Sequence, residues 1–543
     1  DKRAKLAEGK AHRKEQGIYY TPTYVVDYIV KNTIGELAKD KKFDLKNIKI
    51  LDPACGSGSF LMKAFDYLVT LDKKKNGEME QVKLDLTGES ATYGRKIEIL
   101  KNNIFGVDLD PKAVEIAQLN LLLKAAEKKH RLPALQENIK VGNSLIDDSA
   151  VAGDKAFKWE EQFKEIMANG GFDVVIGNPP YVNNRNLPEK DKLFLEKNFS
   201  TAYQQYDLYV LFYELAFRLV KEGGFIGLIT PNKFAVTNYG LPLRKFLLEY
   251  KILKVVDVSQ LGVFGDVSTY PYIVILQKSK ENKNNQIRIS FPDTTNLTNL
   301  PTVKKEQSKL SADEPFLFSQ NPLETNLLGK INGECLIEIY RAKPTTKSIS
   351  NKGEGYVVTN KSIEKYSLNL GTDKIAKKKE WLIDTPAIIM KKICFTPTAT
   401  LLEDTNCIPV NTVYVVHPKD DKIDITYLLG ILNSKLMGYY TRKKYGTTAM
   451  RGGFIELRTF EIRKLPIKHV LDSEQKDLSN LIIKILKLKK QFNELKDKQT
   501  DQKAQLEKEI QKLDAEIDEE VYKLYGITEE EKKIIEDNLK WHK

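Results

Sequence analysis

Between residues 46 and 285, short β-branched or apolar runs alternate with segments of helical periodicity, and this alternation constrains the fold more than any other feature. The runs are IKILDPA, NIFGVDL, NIKVGNS, FDVVIGNP, GGFIGLITP, ILKVVDVS and PYIVILQK. Strands joined by helical crossovers pair in parallel with helices on both faces, which predicts a doubly wound, Rossmann-like α/β domain. Open sheets of this kind bind ligands beyond the carboxyl ends of their strands. The residues that follow each run are therefore where chemistry is expected.

The first run leads into ILDPACGSGSF, in which Gly56 and Gly58 lie between a strand and the helical FLMKAFDYLV. Strand, glycine turn and helix allow backbone N–H groups to approach a ligand closely. Leu61 stands where the third glycine of a dinucleotide loop would fall, which argues against a pyrophosphate. Asp52 suits instead the cationic amino group of a methionine moiety, so the loop points to S-adenosylmethionine. Asp108 closes the second run, where a carboxylate can accept hydrogen bonds from both ribose hydroxyls. Asn143 closes the third and can read an adenine edge. A charged insert, DKKKNGEMEQVKLDLTGES, stretches the spacing from Gly58 to Asp108 to 50 residues, where a dinucleotide site expects roughly 20. Cys55 sits in the cofactor turn and not at a later strand end, so it reads as a small buried side chain and not as a nucleophile for cytosine C5.

FDVVIGNPPYV is the most informative segment. An apolar strand ends in Asn178, Pro179, Pro180 and Tyr181, and the two prolines fix the backbone and remove two N–H donors, leaving an acceptor site. An exocyclic amine donates two hydrogens, which the Asn178 side-chain oxygen and the Pro179 carbonyl can hold while the nitrogen lone pair faces a sulfonium methyl. Such a transfer relies on positioning and needs no covalent intermediate. Tyr181 offers a ring on which a flipped base can stack, and flipping is required because an amine inside a duplex is inaccessible to in-line attack.

The full chain has 543 residues, enough for several domains. Residues 1–45 read as a helical lead-in, 46–285 as the α/β domain and 286–470, after the polar KSKENKNNQ, as an α+β domain. Residues 471–543 read as a helical hairpin, with one stripe of Leu481, Ile485, Leu488, Phe492 and Leu495 and another of Leu506, Ile510, Leu513, Ile517, Val521 and Leu524. Lys and Arg exceed Asp and Glu by twelve, which suits a polyanionic partner. Ten Lys or Arg face four acids between 341 and 380, and nine face two between 433 and 468. In the second cluster TRKKYGTTAMRGGF reads as a flexible basic loop, with Arg442, Lys443, Lys444 and Arg451 as candidate phosphate contacts. No apolar run spans a bilayer and no secretory signal opens the sequence, which predicts a cytoplasmic protein. Scattered cysteines and histidines predict neither disulfides nor a metal.

The ordered set GIYYTP, DPACGSGSF, GVDLDP, GNPPY and GGFIGLITPNKF resembles the gamma class of N6-adenine DNA methyltransferases. YLLGILNSKLMGYY, RGGFIELRTFEIRKLPI and EIDEEVYKLYGITEEE further resemble the target-recognition and tail segments of single-chain Type IIG restriction-modification enzymes. The resemblance implies an S-adenosylmethionine-dependent domain at 46–285, a DNA target-recognition domain at 286–470 and double-stranded DNA as partner, with no obligate protein partner. It implies that Tyr20, Thr21 and Pro22 contact the methionine end of the cofactor. Asp52, Ala54, Gly56 and Gly58 would form the main loop, with Asp108 on the ribose, Asn143 on the adenine and Asn178 beside both substrates. For the second ring stacked on the target base, Phe234 and Tyr239 both fall in PNKFAVTNYG, and Tyr239 is favoured. Competing readings are an RNA or protein amino-methyltransferase, a catalytically dead specificity subunit, and a complete restriction-modification enzyme. The last would need a nuclease, and the sole Pro-Asp dipeptide, at Asp293, lacks a following acid-x-Lys strand. With fewer than 20 residues before GIYYTP, the expectation is a chain that modifies DNA without cutting it, its nuclease lying upstream or lost.

Overall fold

The computed structural model describes residues 21–40, 44–75, 88–126, 132–264, 270–280, 284–316, 318, 322–350, 353–446, 454–495 and 501–540. The chain divides into two compact units, Asp1–Gln320 and Asn321–Lys543. The first is built on a sheet of nine strands among the described residues: β1 (Ile50–Asp52), β2 (Ile104–Asp108), β3 (Ile139–Val141), β4 (Phe172–Gly177), β5 (Val220–Pro231), β6 (Lys251–Asp257), β7 (Pro271–Gln277), β8 (Gln286–Ser290) and β9 (Val303–Glu306). The spatial order is β3-β2-β1-β4-β5-β7-β6-β8-β9. All seven runs read from the sequence fall on β1 to β7. Strands β1 to β5 pair in parallel, and β7 inserts antiparallel between β5 and β6. The order of the chain reverses at β1, which pairs with β2 on one side and β4 on the other, creating a switch point at their carboxyl ends.

Helix α1 (Thr23–Leu37) buries Val25, Val26, Ile29, Val30, Thr33 and Ile34 against one face of this sheet. Gly227 of β5 permits the approach, since a β-carbon there would lie 2.7 Å from both Ile29 and Thr33. Helices α2 (Ser59–Lys75), α3 (Gly88–Asn103) and α4 (Pro111–Ala125) share that face, so the long crossover from Gly58 to Asp108 holds two helices, α2 and α3. Residues 76–87 between them lie outside the described residues. Helix α5 (Tyr209–Leu219) packs on the opposite face. Within β4, Val174 and Ile176 join the first core and Val175 the second, so both faces are dry and the strand reads as a continuous apolar run. Each such buried side chain contributes roughly 1.5–3 kcal/mol.

The expected boundary at 285 falls inside this unit. QIRIS carries buried Ile287 and Ile289 between exposed Gln286 and Arg288, and it adds β8 to the sheet beside β6. The polar stretch before it is a connection within the sheet and not a domain linker. In the second unit, the strands Ile337–Arg341, Val413–Pro418, Ala387–Lys391 and Ala399–Leu402 pair antiparallel in that order. Helices α6 (Ile425–Asn433), α7 (Lys435–Tyr445), α8 (Asp472–Glu494) and α9 (Asp501–Tyr525) share one core with this sheet. The expected hairpin is α8 with α9, and it belongs to the second unit and not to a separate domain. Asp424 shows why: it caps α6 by accepting from Thr426 and Tyr427 N–H, while Gln475 and Ser479 of α8 hydrogen-bond to it. Among the described residues no helix is long and apolar enough to cross a membrane.

Candidate active site

The carboxyl ends of β1, β2, β3 and β4 converge at the switch point. After Asp52 the chain turns through Gly56 (φ 51°) and Gly58 (φ 86°), conformations that only glycine adopts without strain. The two glycines do different work. A β-carbon on Gly58 would lie 3.1 Å from Ala117 of α4, so this glycine allows close packing, whereas one on Gly56 would meet nothing within 4 Å and borders open space. Gly56 N–H donates to Asp108 Oδ2 at 2.8 Å, and Ser144 Oγ, just past β3, donates to the Pro53 carbonyl at 2.6 Å. Three strand ends are thereby tied into one cradle.

Asp52 is 1% exposed, and its carboxyl is pushed up to about 8, chiefly by burial and further by the Asp108 charge, against a stabilising hydrogen bond from Ala54 N–H at 3.1 Å. Burial also raises Asp108, although Gly56 and Asp110 N–H groups donate to it. A buried acid and a half-buried one beside a glycine turn fit a ligand bearing a cation and hydroxyl donors. They offer a pyrophosphate no cation. The residues present therefore fit S-adenosylmethionine. Asn143 accepts from Leu145 N–H through its side-chain oxygen at 3.1 Å. Cys55 is buried and its thiol is held well above its usual range, first by burial and then by Asp52 and Asp108, so it is unsuited to nucleophilic attack.

Asn178 directly follows β4, whose last residue, Gly177, abuts Asp52. Its Nδ2 donates to Thr21 Oγ1 at 3.0 Å, ahead of α1, which fixes the amide's orientation. Pro179 is buried and Pro180 half-buried. Tyr181 is half-buried, donates to the Ile229 carbonyl at 3.2 Å, and meets Tyr209 and Phe264 edge to face. Of the two candidate second rings, Phe234 is 3% exposed and packs in the core on Tyr209 and Tyr213, while Tyr239 remains half-buried and donates to Asp207 at 3.1 Å. Thr21, Pro22, Asp52, Ala54, Gly56, Gly58, Asp108, Asn143 and the Asn178–Tyr181 tetrapeptide thus lie on neighbouring strand ends and the lead into α1. Tyr20 and Arg451 lie outside the described residues. Sequence reasoning missed Ser144 and Asp207, whose hydrogen bonds tie the loops together; nothing in VGNSL or QYDLYV marks them beyond small polar residues at turns.

In the second unit, Arg442, Lys443 and Lys444 stand on the last turn of α7 and not on a loop, because Leu436, Met437, Tyr439 and Tyr440 form its buried stripe. The Arg442 guanidinium lies 3.9 Å from the Phe395 ring centre, and Lys444 donates to Tyr440 OH at 2.7 Å. Lys443 is paired with Glu324 at 3.0 Å, so its charge is already compensated within the unit.

Residues 102–264 match the Eco57I restriction-modification methylase family, a span that holds Asp108, Asn143 and the tetrapeptide. Residues 351–467 match the TaqI-like C-terminal specificity domain. The Type II restriction enzyme and methyltransferase RM.Eco57I of Escherichia coli is 35% identical over 335 residues, covering 57% of this chain and 31% of that protein. A putative type II restriction enzyme and methyltransferase of Methanocaldococcus jannaschii, RM.MjaORFECS2P, is 23% identical and covers 89% of this chain and 56% of that one. The adenine-specific methyltransferase PglX of Streptomyces coelicolor is 26% identical over 51% of this chain and 24% of its own. The chain thus spans from about a quarter to just over half the length of these relatives. Among solved structures, the Type IIL restriction-modification enzyme MmeI in complex with DNA superposes with a TM-score of 0.56 at 16% identity, over 93% of this chain and 74% of that one. The DrdV–DNA complex gives 0.57 at 14% identity, over 89% and 58%. The resemblance to restriction-modification methyltransferases that carry a recognition domain is borne out in both units.

Proposed function

We propose that this chain transfers a methyl group from S-adenosylmethionine to N6 of a flipped-out adenine in a specific double-stranded DNA sequence, as the modification activity of a restriction-modification system. The observation that carries this reading is the contact between the two strand ends: Gly177, immediately before Asn178, abuts the Asp52 carboxylate, where a β-carbon would lie 2.7 Å from Oδ1. An acceptor site for an amine and a buried acid for a cofactor's cation therefore share one wall.

When bound, S-adenosylmethionine supplies an electrophilic sulfonium methyl group. Asp52 would hold its amino group, Asp108 its ribose hydroxyls and Asn143 its adenine, with the Gly56 turn lying against it. The Asn178 side-chain oxygen and the Pro179 carbonyl accept the two N6 hydrogens of the target base, which orients the nitrogen lone pair. Tyr181 and Tyr239 flank the base. The second unit reads the DNA sequence, as its likeness to a specificity domain suggests. Incubation with labelled S-adenosylmethionine and DNA, RNA or protein should label DNA alone, and sequencing of the methylated product should place N6-methyladenine in one motif. Label in RNA or protein, or at cytosine, would overturn the reading.

A further inference from the structure

The loop after the tetrapeptide and the loop carrying Tyr239 come from different strand ends, yet one carboxylate joins them. Asp207 precedes α5, and its segment pairs with the residues after Tyr181: Leu208 N–H donates to the Val182 carbonyl at 2.8 Å and Asn184 N–H to the Tyr206 carbonyl at 2.9 Å. From that position Asp207 Oδ1 accepts from Asn183 Nδ2 at 3.0 Å, and Oδ2 accepts from Tyr239 OH at 3.1 Å. Tyr239 OH lies 3.0 Å from Tyr209 OH, which in turn accepts from Phe234 N–H at 3.1 Å.

The ends of this chain fix its direction. A backbone N–H can only donate and an ionised carboxylate can only accept. The Tyr209 proton must then point to the Tyr239 oxygen, and the Tyr239 proton to Asp207. Every hydroxyl in the chain is thereby committed. Tyr239 keeps its ring as its remaining means of contact, and Asn183 is held at a set distance from that ring.

We infer that Asp207 is a positioning residue for the target base, holding the ring of Tyr239 at a fixed separation from the Asn178–Tyr181 loop so that the two walls of the base pocket stay in register. The inference rests on the reading of this site as an adenine N6-methyltransferase. Asparagine at 207 is nearly isosteric but puts an NH₂ donor in place of one of the two oxygens, so it cannot accept from both Asn183 and Tyr239 at the positions the carboxylate serves. Phenylalanine at 239 keeps the ring and removes only the hydroxyl through which Asp207 acts.

The test is a double-mutant cycle of D207N and Y239F in the full chain, using a duplex whose mapped target adenine is replaced by 2-aminopurine to report extrusion, and the unmodified duplex for kinetics. Each single variant should lower kcat, together with the fluorescence gain on binding, by about tenfold or more, while S-adenosylmethionine affinity stays within about twofold of wild type. The double variant should be no worse than the weaker single variant. Additive losses, or a D207N enzyme with wild-type kcat and fluorescence, would overturn the inference. A loss of cofactor affinity in parallel with kcat in both single variants would also overturn it, since that marks general damage to the fold. A wild-type chain that transfers no methyl to adenine overturns the reading of the site, and this inference with it, whereas wild-type transfer with an indifferent D207N overturns the inference alone.

Discussion

A β-carbon built on Gly177 would lie 2.7 Å from Oδ1 of Asp52, so the last residue of β4 and the last of β1 occupy adjoining space. Neither side can give way easily. Gly177 pairs with Leu228 in the sheet, and Asp52 is enclosed by its own loop. Replacing Gly177 by Ala should displace the Asp52 carboxylate and weaken S-adenosylmethionine binding by about tenfold or more, at an overpacking cost of about 1–3 kcal/mol in stability. Calorimetric titration with the cofactor and thermal unfolding check both; wild-type affinity in G177A would separate Asp52 from cofactor binding.

Asp52 gives a pH dependence with a definite sign. Its carboxyl is raised from an ordinary 3.8 to about 8 in the folded chain, so between these values the folded state keeps a proton that the unfolded chain releases. Its contribution to stability therefore falls as pH rises from about 4 to about 8 and is level above that. Asp52→Asn removes the penalty, and the variant should gain melting temperature relative to wild type as pH rises from 5 to 8, by about a few degrees at the upper end. Conversely, pairing with a cationic amino group favours the ionised form, so cofactor binding at pH 7 should release a proton. Calorimetry in buffers of different ionisation enthalpy measures that release, and its absence would mean that Asp52 is not the amino group's partner.

Asn178→Ala should abolish transfer while cofactor binding survives, because the tetrapeptide orients the amine and the glycine turn holds the cofactor. A residual rate above about a tenth of wild type, a loss of under about 1.4 kcal/mol, would contradict the role given to Asn178. Thr21→Val removes the acceptor that fixes the Asn178 amide. That variant should lose kcat by a smaller factor, which steady-state kinetics on the mapped sequence would show.

Much of the first unit was legible in the sequence because β1, β2, β4 and β7 are buried along most of their length and read as largely apolar runs with motifs at their ends. Asp52, Asp108 and Asn143 each close such a run, Asp52 at the strand where the sheet reverses its order and the other two at the ends of the next two strands. What escaped were elements fixed by tertiary partners. Strand β8 alternates in polarity behind a lysine- and asparagine-rich stretch, so its pairing with β6 left no local signal. Asp207 looks like any acid before a helix until Asn183 and Tyr239 arrive from distant loops. The C-terminal hairpin showed its stripes plainly, yet its shared core and the hydrogen bonds that join Asp424 to Gln475 and Ser479 are what reveal that it belongs to the second unit.

The two adjacent lysines at the end of α7 make different contacts. From sequence, Lys443 and Lys444 are equivalent members of one basic cluster. In the fold, Lys443 lies 3.0 Å from Glu324, which also accepts from Asn538 at 3.1 Å, and Lys444 donates to the Tyr440 hydroxyl at 2.7 Å. Removing the Lys443 side chain takes away this ion pair, so Lys443→Ala should cost about 1 kcal/mol of stability. It should leave the salt dependence of DNA binding unchanged, because a charge compensated within the protein releases no counterion from DNA. Lys444→Ala, read as the loss of one phosphate contact of the basic cluster, should lower the slope of log affinity against log salt by about 0.9. Fluorescence anisotropy on the mapped duplex between 50 and 200 mM salt, run beside thermal unfolding, distinguishes the two. A slope reduced by Lys443→Ala would mean that Lys443 leaves Glu324 for a phosphate when DNA binds, and the assignment of that lysine to structure would fall.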